Sequence, residues 1–157
     1  MADASLALAY PARWWSFTSN VRGLAESFCG HVRNDAAFAQ RVAMATHELL
    51  ENAVKYSVGP ESPIGCHLEV VGGQLRVRVE NPTDPAHIDD LRQEHALVNR
   101  MDPLDLYLER MQSDHPDGAS RLGLARIRYE GEAQLHLDVR GATVCVEAIF
   151  DLPEQAS

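Results

Sequence analysis

The period of apolar positions along the chain changes several times, and each change predicts an element. Leu6, Leu8 and Tyr10 alternate with Ala7 and Ala9 up to Pro11, which reads as a short strand. From Arg13 to about Val32 the spacing turns helical through Trp15, Phe17 or Thr18, Val21, Leu24, Ala25 and Phe28. Trp14 and Trp15 are expected in core packing rather than in a ligand cage. Asn34 or Asp35 can cap a second helix whose apolar seam is Phe38, Val42, Ala45, Leu49, Ala53 and Tyr56. Gly59 and Pro60 then supply a left-handed cap and a stop, giving a helix about 35 Å long.

Beyond that helix the pattern is of hairpins and punctuated helices. Cys66 to Val71 and Leu75 to Val79 alternate around Gly72-Gly73, the dipeptide of a tight antiparallel hairpin. Leu75, Val77 and Val79 point one way, and Arg76, Arg78 and Glu80 the other. Pleat parity therefore turns Asn81 inward and leaves Glu80 outside. Asp84-Pro85 and Asp102-Pro103 each place an acidic cap before a proline at the first helical position. Leu104, Tyr107, Leu108 and Met111 give the second of these helices an apolar stripe for packing. A further helix runs to about Tyr129, and Gln134 to Val139 and Thr143 to Phe150 form a closing antiparallel pair around Arg140-Gly141. No repeat, low-complexity run or linker breaks the chain, so residues 1–157 are expected to be one domain.

Candidate chemistry concentrates between Thr46 and Ser57, THELLENAVKYS. Residues three and four apart share a helix face, so Glu48, Asn52 and Lys55 form a polar column with Tyr56 beside its end. A carboxylate can take a proton or order a water, a carboxamide oxygen is a hard ligand for Mg²⁺, and a lysine neutralises phosphate. The same residues also describe an ordinary solvated stripe, so the rest of the chain must decide. The segment HELLE misses the zinc-protease pattern because Glu51 stands where the second histidine is needed. The remaining histidines fall singly, without ligand spacing.

Composition narrows the partners. With 157 residues, 45% of them hydrophobic, the chain can bury a proper core. A net charge of −9 disfavours nucleic acid, whose phosphates reward clustered lysine and arginine. No apolar run approaches membrane-spanning length, and the start lacks the basic flank and long apolar stretch of a signal peptide, so a cytoplasmic protein is expected. Cys29, Cys66 and Cys145 are odd in number and widely spaced, which suggests reduced core thiols rather than disulfides or zinc.

Glu48-x-x-x-Asn52-Ala53-x-Lys55-Tyr56 resembles the N-box of the GHKL ATPases, the superfamily of histidine kinases, gyrase, Hsp90 and MutL. The segment Asp117-Gly118-Ala119-Ser120-Arg121-Leu122-Gly123-Leu124 resembles their G2 box, in which backbone N–H groups at a helix start cradle phosphate. Ala119 and Arg121 stand at glycine positions. In the G1 box both glycines are absent, and Asn81 stands for the aspartate that receives the adenine amino group. Within the superfamily, the length and the order of elements resemble the stand-alone anti-sigma-factor kinases of bacterial partner switching. The pattern is most similar to the SiaB-type threonine kinases.

The resemblance implies an α+β two-layer sandwich: a mixed, mostly antiparallel sheet with helices on one face and a helical lid over about 84–117. It implies a serine/threonine kinase that uses ATP and Mg²⁺ to phosphorylate a small antagonist protein, STAS-like or similar. Homodimers would be in keeping with the family. By the same resemblance Glu48 is the general base, and Asn52 holds Mg²⁺. Lys55 and Tyr56 contact phosphate and nucleotide, Asn81 meets the adenine, and Gly118, Ser120, Arg121 and Gly123 lie near the phosphates. The alternative is a catalytically degenerate domain that binds a partner without turning over ATP, a reading carried by the altered G1 and G2 boxes.

Overall fold

The structure, a computed structural model, describes residues 3–112 and 122–155. Among the described residues, five strands and five α-helices follow one another as β1 (Ala4–Pro11), α1 (Thr18–Val32), α2 (Ala36–Lys55), β2 (Pro63–Val71), β3 (Gln74–Pro82), α3 (Pro85–Arg100), α4 (Pro103–Gln112), α5 (Leu122–Tyr129), β4 (Gln134–Arg140) and β5 (Thr143–Asp151). The strands form one sheet in the order β1-β2-β3-β5-β4, and every pairing is antiparallel. This is the expected α+β sandwich. The helices cover the face that carries Ile64, Leu68, Leu75, Val77, Leu135, Ala148 and Phe150, all buried.

The turn chemistry fixes the register. Gly72 and Gly73 take φ of 59° and 80°, the consecutive left-handed pair a two-residue hairpin requires, and Val71 pairs with Gln74 across it. Gly141, at φ 61°, serves the β4–β5 hairpin in the same way. With that register set, Leu75, Val77, Val79 and Asn81 all face the helices, as parity predicted.

Helix α2 crosses this inner face and is about 30 Å long from its 20 residues. Asp35 caps it by accepting a hydrogen bond from the Phe38 N–H at 3.0 Å. Phe38, Val42, Ala45, Leu49 and Ala53 form its buried seam, with the Phe38 ring edge-on to Phe150. The Cys29 and Cys66 thiols are buried in the same core, and desolvation pushes each up to about 12. Cys145 is only partly covered.

Four expectations are corrected. Ala12–Phe17 is a 3-10 segment with a non-helical Trp14 (φ −90°, ψ 33°), so α1 starts at Thr18 and the helical phase counted from Trp15 does not exist there. Ala12 and Thr18 are buried instead, and Trp14 and Trp15 are 47% and 67% exposed rather than in the core. Helix α2 ends at Lys55, before Gly59, whose φ is not positive. In α4 the buried residue is Leu106, while Leu104, Leu108 and Met111 are exposed. The reason is Arg110, one turn from Leu106, whose Nη2 reaches Glu94 of α3 at 2.8 Å in a largely buried ion pair. That pair turns the Leu106–Arg110 face inward.

Replacing Asp35 with Ala removes the N-cap acceptor of the central helix. The expected loss is about 1 kcal/mol in urea unfolding, with Asp35→Ser largely retaining stability. Equal losses for both variants would show that the cap contributes nothing.

Candidate functional site

The C-terminal half of α2 gathers most of the expected residues. Glu48 and Asn52, one turn apart, face the first turn of α5. A Cβ added at Gly123 would sit 2.9 Å from Glu48 Oε2 and 3.9 Å from Asn52 Nδ2, so this close approach is what requires glycine there. Glu48 Oε1 accepts from Arg126 Nη1 at 3.2 Å. The Arg126 Nε also donates to Glu130, and the Tyr107 ring of α4 packs 4.9 Å from that of Tyr129 on α5. The carboxylate on α2 is thus joined through α5 to α4.

Burial raises the Glu48 pKa above its ordinary value of 4.5, and the like charge of Glu51 raises it further. Arg126 and His47 pull the other way without cancelling the rise. His47 itself is engaged by Glu51 at 2.9 Å on the outer side of the helix.

Asn81, at the end of β3, is 6% exposed. Its Nδ2 lies within donating distance of Ala53 O (3.2 Å), Pro82 O (3.0 Å) and Thr83 Oγ1 (3.2 Å). Two carbonyls fix which side-chain atom is the nitrogen, leaving Oδ1 able to accept. Asn81 lines a small cavity with Asn52, Tyr56, Thr83, His95 and Leu124. Its volume is about 20 Å³, room for about one water. Tyr56 packs 5.4 Å from His87 at the start of α3.

Lys55 is exposed and lies outside the cavity lining, its Nζ 5.1 Å from the Tyr56 ring centroid. Gly118, Ser120 and Arg121 lie outside the described residues. The structure therefore brings Glu48, Asn52, Tyr56, Asn81 and Gly123 into one region. It adds Thr83, His95 and Arg126, which sequence reasoning did not single out. Arg126 meets Glu48 across 78 positions and carries no local signal. Thr83 was legible in principle, since it falls two residues after Asn81, in step with the inward row.

A larger recess of about 840 Å³ lies on the uncovered face of the sheet, lined by Ala9, His67, Arg78, His136, Asp138 and Arg140 among others. Its cations already have partners: Arg78 bonds His67 at 2.8 Å and Arg140 bonds Asp138 at 2.9 Å. The perturbed carboxylate and the buried amide are on the other side.

No protein-family model matches the chain, and no curated protein sequence matches it. Among solved structures it is similar to a chain of the crystal structure of the SiaB–SiaC complex from Pseudomonas aeruginosa, with a TM-score of 0.71 and 16% identity, covering 92% of this chain and 89% of that one. A likeness at that identity is one of fold.

Two outcomes follow from this geometry. Asn81→Asp turns an acceptor toward two carbonyls that now receive a hydrogen bond, so it is expected to destabilise the protein by roughly 2–4 kcal/mol in chemical denaturation. A change within experimental error would show that the amide nitrogen is not needed. The second concerns pH. A carboxyl whose folded pKa is raised holds its proton more tightly in the fold, so its contribution is present below 4.5 and lost as pH rises through the raised value. Glu48→Gln does not titrate, so its stability relative to wild type should climb from acidic to neutral pH. A difference that stays flat with pH would refute the assignment.

Proposed function

We propose that this protein is a partner-switching regulator that binds a small protein partner and acts on it as a Mg-ATP-dependent serine/threonine kinase of the GHKL type. The observation that carries the reading is the Glu48–Asn52 pair, partly buried at the base of α2 and packed against the glycine at the start of α5. A general base benefits from a pKa lifted toward neutrality, and burial supplies that lift at Glu48. Asn52 one turn on offers a hard oxygen for Mg²⁺. Gly123, in the first turn of α5, lies beside both and lets that backbone come close. Asn81 Oδ1 supplies an acceptor for a base amine. The similar fold in the SiaB–SiaC complex, an assembly of two proteins, supports a protein partner.

In this reading α3 acts as a gate. A space of about 20 Å³ cannot admit a nucleotide, so binding requires Leu91 and His95 on α3 to withdraw from the β4–β5 side of the cavity. Arg126 must also exchange Glu48 for another anion, since a base held in an ion pair is a poor proton acceptor. The phosphates are suited to take that place.

The narrow cavity and the Arg126–Glu48 pair also favour a second reading, a module that binds its partner in the closed state without turning over ATP. Calorimetric titration with ATP, with and without Mg²⁺, separates the two. For the kinase, ATP heat appears and Mg²⁺ strengthens it, and Asn52→Ala abolishes that strengthening. Glu48→Gln keeps ATP binding while phosphate transfer to the co-purified partner falls roughly 10²- to 10⁴-fold. For the module, no ATP heat appears and the partner complex survives Glu48→Ala.

A further inference from the structure

Strand β4 ends the sheet, since the order β1-β2-β3-β5-β4 leaves one of its sides without a partner strand among the described residues. Every second residue of a strand directs its N–H and C=O to the same side. The Leu135 carbonyl accepts from Asn99 Nδ2 of α3 at 3.2 Å, so Leu135 turns its backbone groups outward, away from β5. Leu137 and Val139 share that direction, whereas His136, Asp138 and Arg140 turn theirs toward β5. Side chains already cover the start of this edge, with Asn99 at Leu135 and Arg128 Nη1 of α5 reaching the Ala133 carbonyl at 3.4 Å. At Leu137 and Val139 the outer N–H and C=O groups have no protein partner among the described residues and are left to water.

Beside this edge lies an open depression of about 600 Å³, walled by α3, α5 and β4. Arg92, Ala96 and Asn99 line it from one face of α3, at i, i+4 and i+7, and Arg128 and His136 line it from α5 and β4. No carboxylate lines it. Arg92 and Arg128 have no ion-pair partner among the described residues, although the chain carries a net charge of −9. The one acid of β4, Asp138, is held by Arg140 at 2.9 Å. Charges that merely keep strand edges apart sit on the edge strand itself. These two arginines sit on helices, across a depression with room for the side chains of an added strand.

We propose that the outer edge of β4 at Leu137 and Val139 docks an extended acidic segment of a protein partner, which joins the sheet as a further strand. Its backbone bonds to the outer groups of Leu137 and Val139, and every second side chain, Asp or Glu, enters the depression toward Arg92 and Arg128. The backbone ladder supplies affinity, and the alternating carboxylates select the partner. Nucleic acid is disfavoured as the occupant, because the chain's net negative charge repels phosphate. The inference adds a surface for the partner and does not depend on ATP binding at α2.

The test is titration of the ¹⁵N-labelled full chain with a short peptide alternating Glu and Thr and with its Lys–Thr counterpart, followed by amide NMR signals and hydrogen exchange. The acidic peptide is expected to shift and protect the Leu137 and Val139 amides, and the basic one to leave them unchanged. Arg92→Glu, an exposed position on α3, should weaken binding of the acidic peptide roughly 5- to 10-fold. Strand addition also predicts a parity, because only one set of alternate peptide amides faces β4. N-methylation of that set should abolish binding, and N-methylation of the other set should leave it, a readout that needs no change in the protein. Loss with both methylated peptides, or with neither, would mean attraction without strand pairing and would overturn the proposal. Binding that spares Leu137 and Val139 would overturn it too. So would an acidic peptide that does not bind, which would leave the two arginines as guards of the edge.

Discussion

How α2 ends determines what the site can do. The last carbonyls of a helix have no partner of their own, and at Ala53 that vacancy is filled from the sheet, by the Asn81 amide at the end of β3. The bridge between Ser57 and Thr83 continues the join one step further. Helix and strand are thereby locked end to end, and the polar column on α2 takes its height above the sheet from that lock. The same bond explains why an asparagine stands here. A carboxylate at this position would face the Ala53 and Pro82 carbonyls with no hydrogen to offer, whereas a carboxamide satisfies both and keeps an oxygen for the cavity. The asparagine thus meets a structural demand on its nitrogen and keeps an acceptor.

Gly123 shows a second case of one residue meeting two demands. At the level of sequence a glycine at the start of a helix suggests backbone freedom around phosphate. In the fold its role is clearance, since the Glu48 carboxylate occupies the place of its missing side chain. Clearance and anion binding are compatible, because both need the α5 backbone to come close to α2. They do tie the state of Glu48 to the position of α5, which Arg126 holds to Glu48 and the Tyr107–Tyr129 ring contact holds to α4.

Elements specified by neighbours in sequence were legible, and those specified by distant contacts were not. The Gly72-Gly73 turn, the parity that turns Asn81 inward and the Asp84 and Asp102 caps are local chemistry, and each is found as expected. Trp14 and Trp15 fail because helical counting presumes a helix, and the 3-10 segment changes the phase before α1 begins. The α4 stripe fails because an ion pair with Glu94, 16 residues away, outweighs a modest apolar face in a ten-residue helix. In the candidate site, Glu48 and Asn52 were legible because helical spacing alone unites them. Arg126 and His95 were not, because only the packing of α5 and α3 brings them to the site.

What the closed cavity contains bears on which reading of the protein is favoured. A domain serving only as a scaffold gains nothing from a half-buried carboxylate whose pKa is raised, since an apolar side chain of similar size would stabilise the same fold better. That carboxylate flanks a space bounded by α2, β3 and α3. A group that costs stability beside such a space is the usual mark of a site that trades stability for chemistry. That argument weighs toward a ligand that enters when α3 withdraws, and against reading the narrowness of the cavity as loss of function.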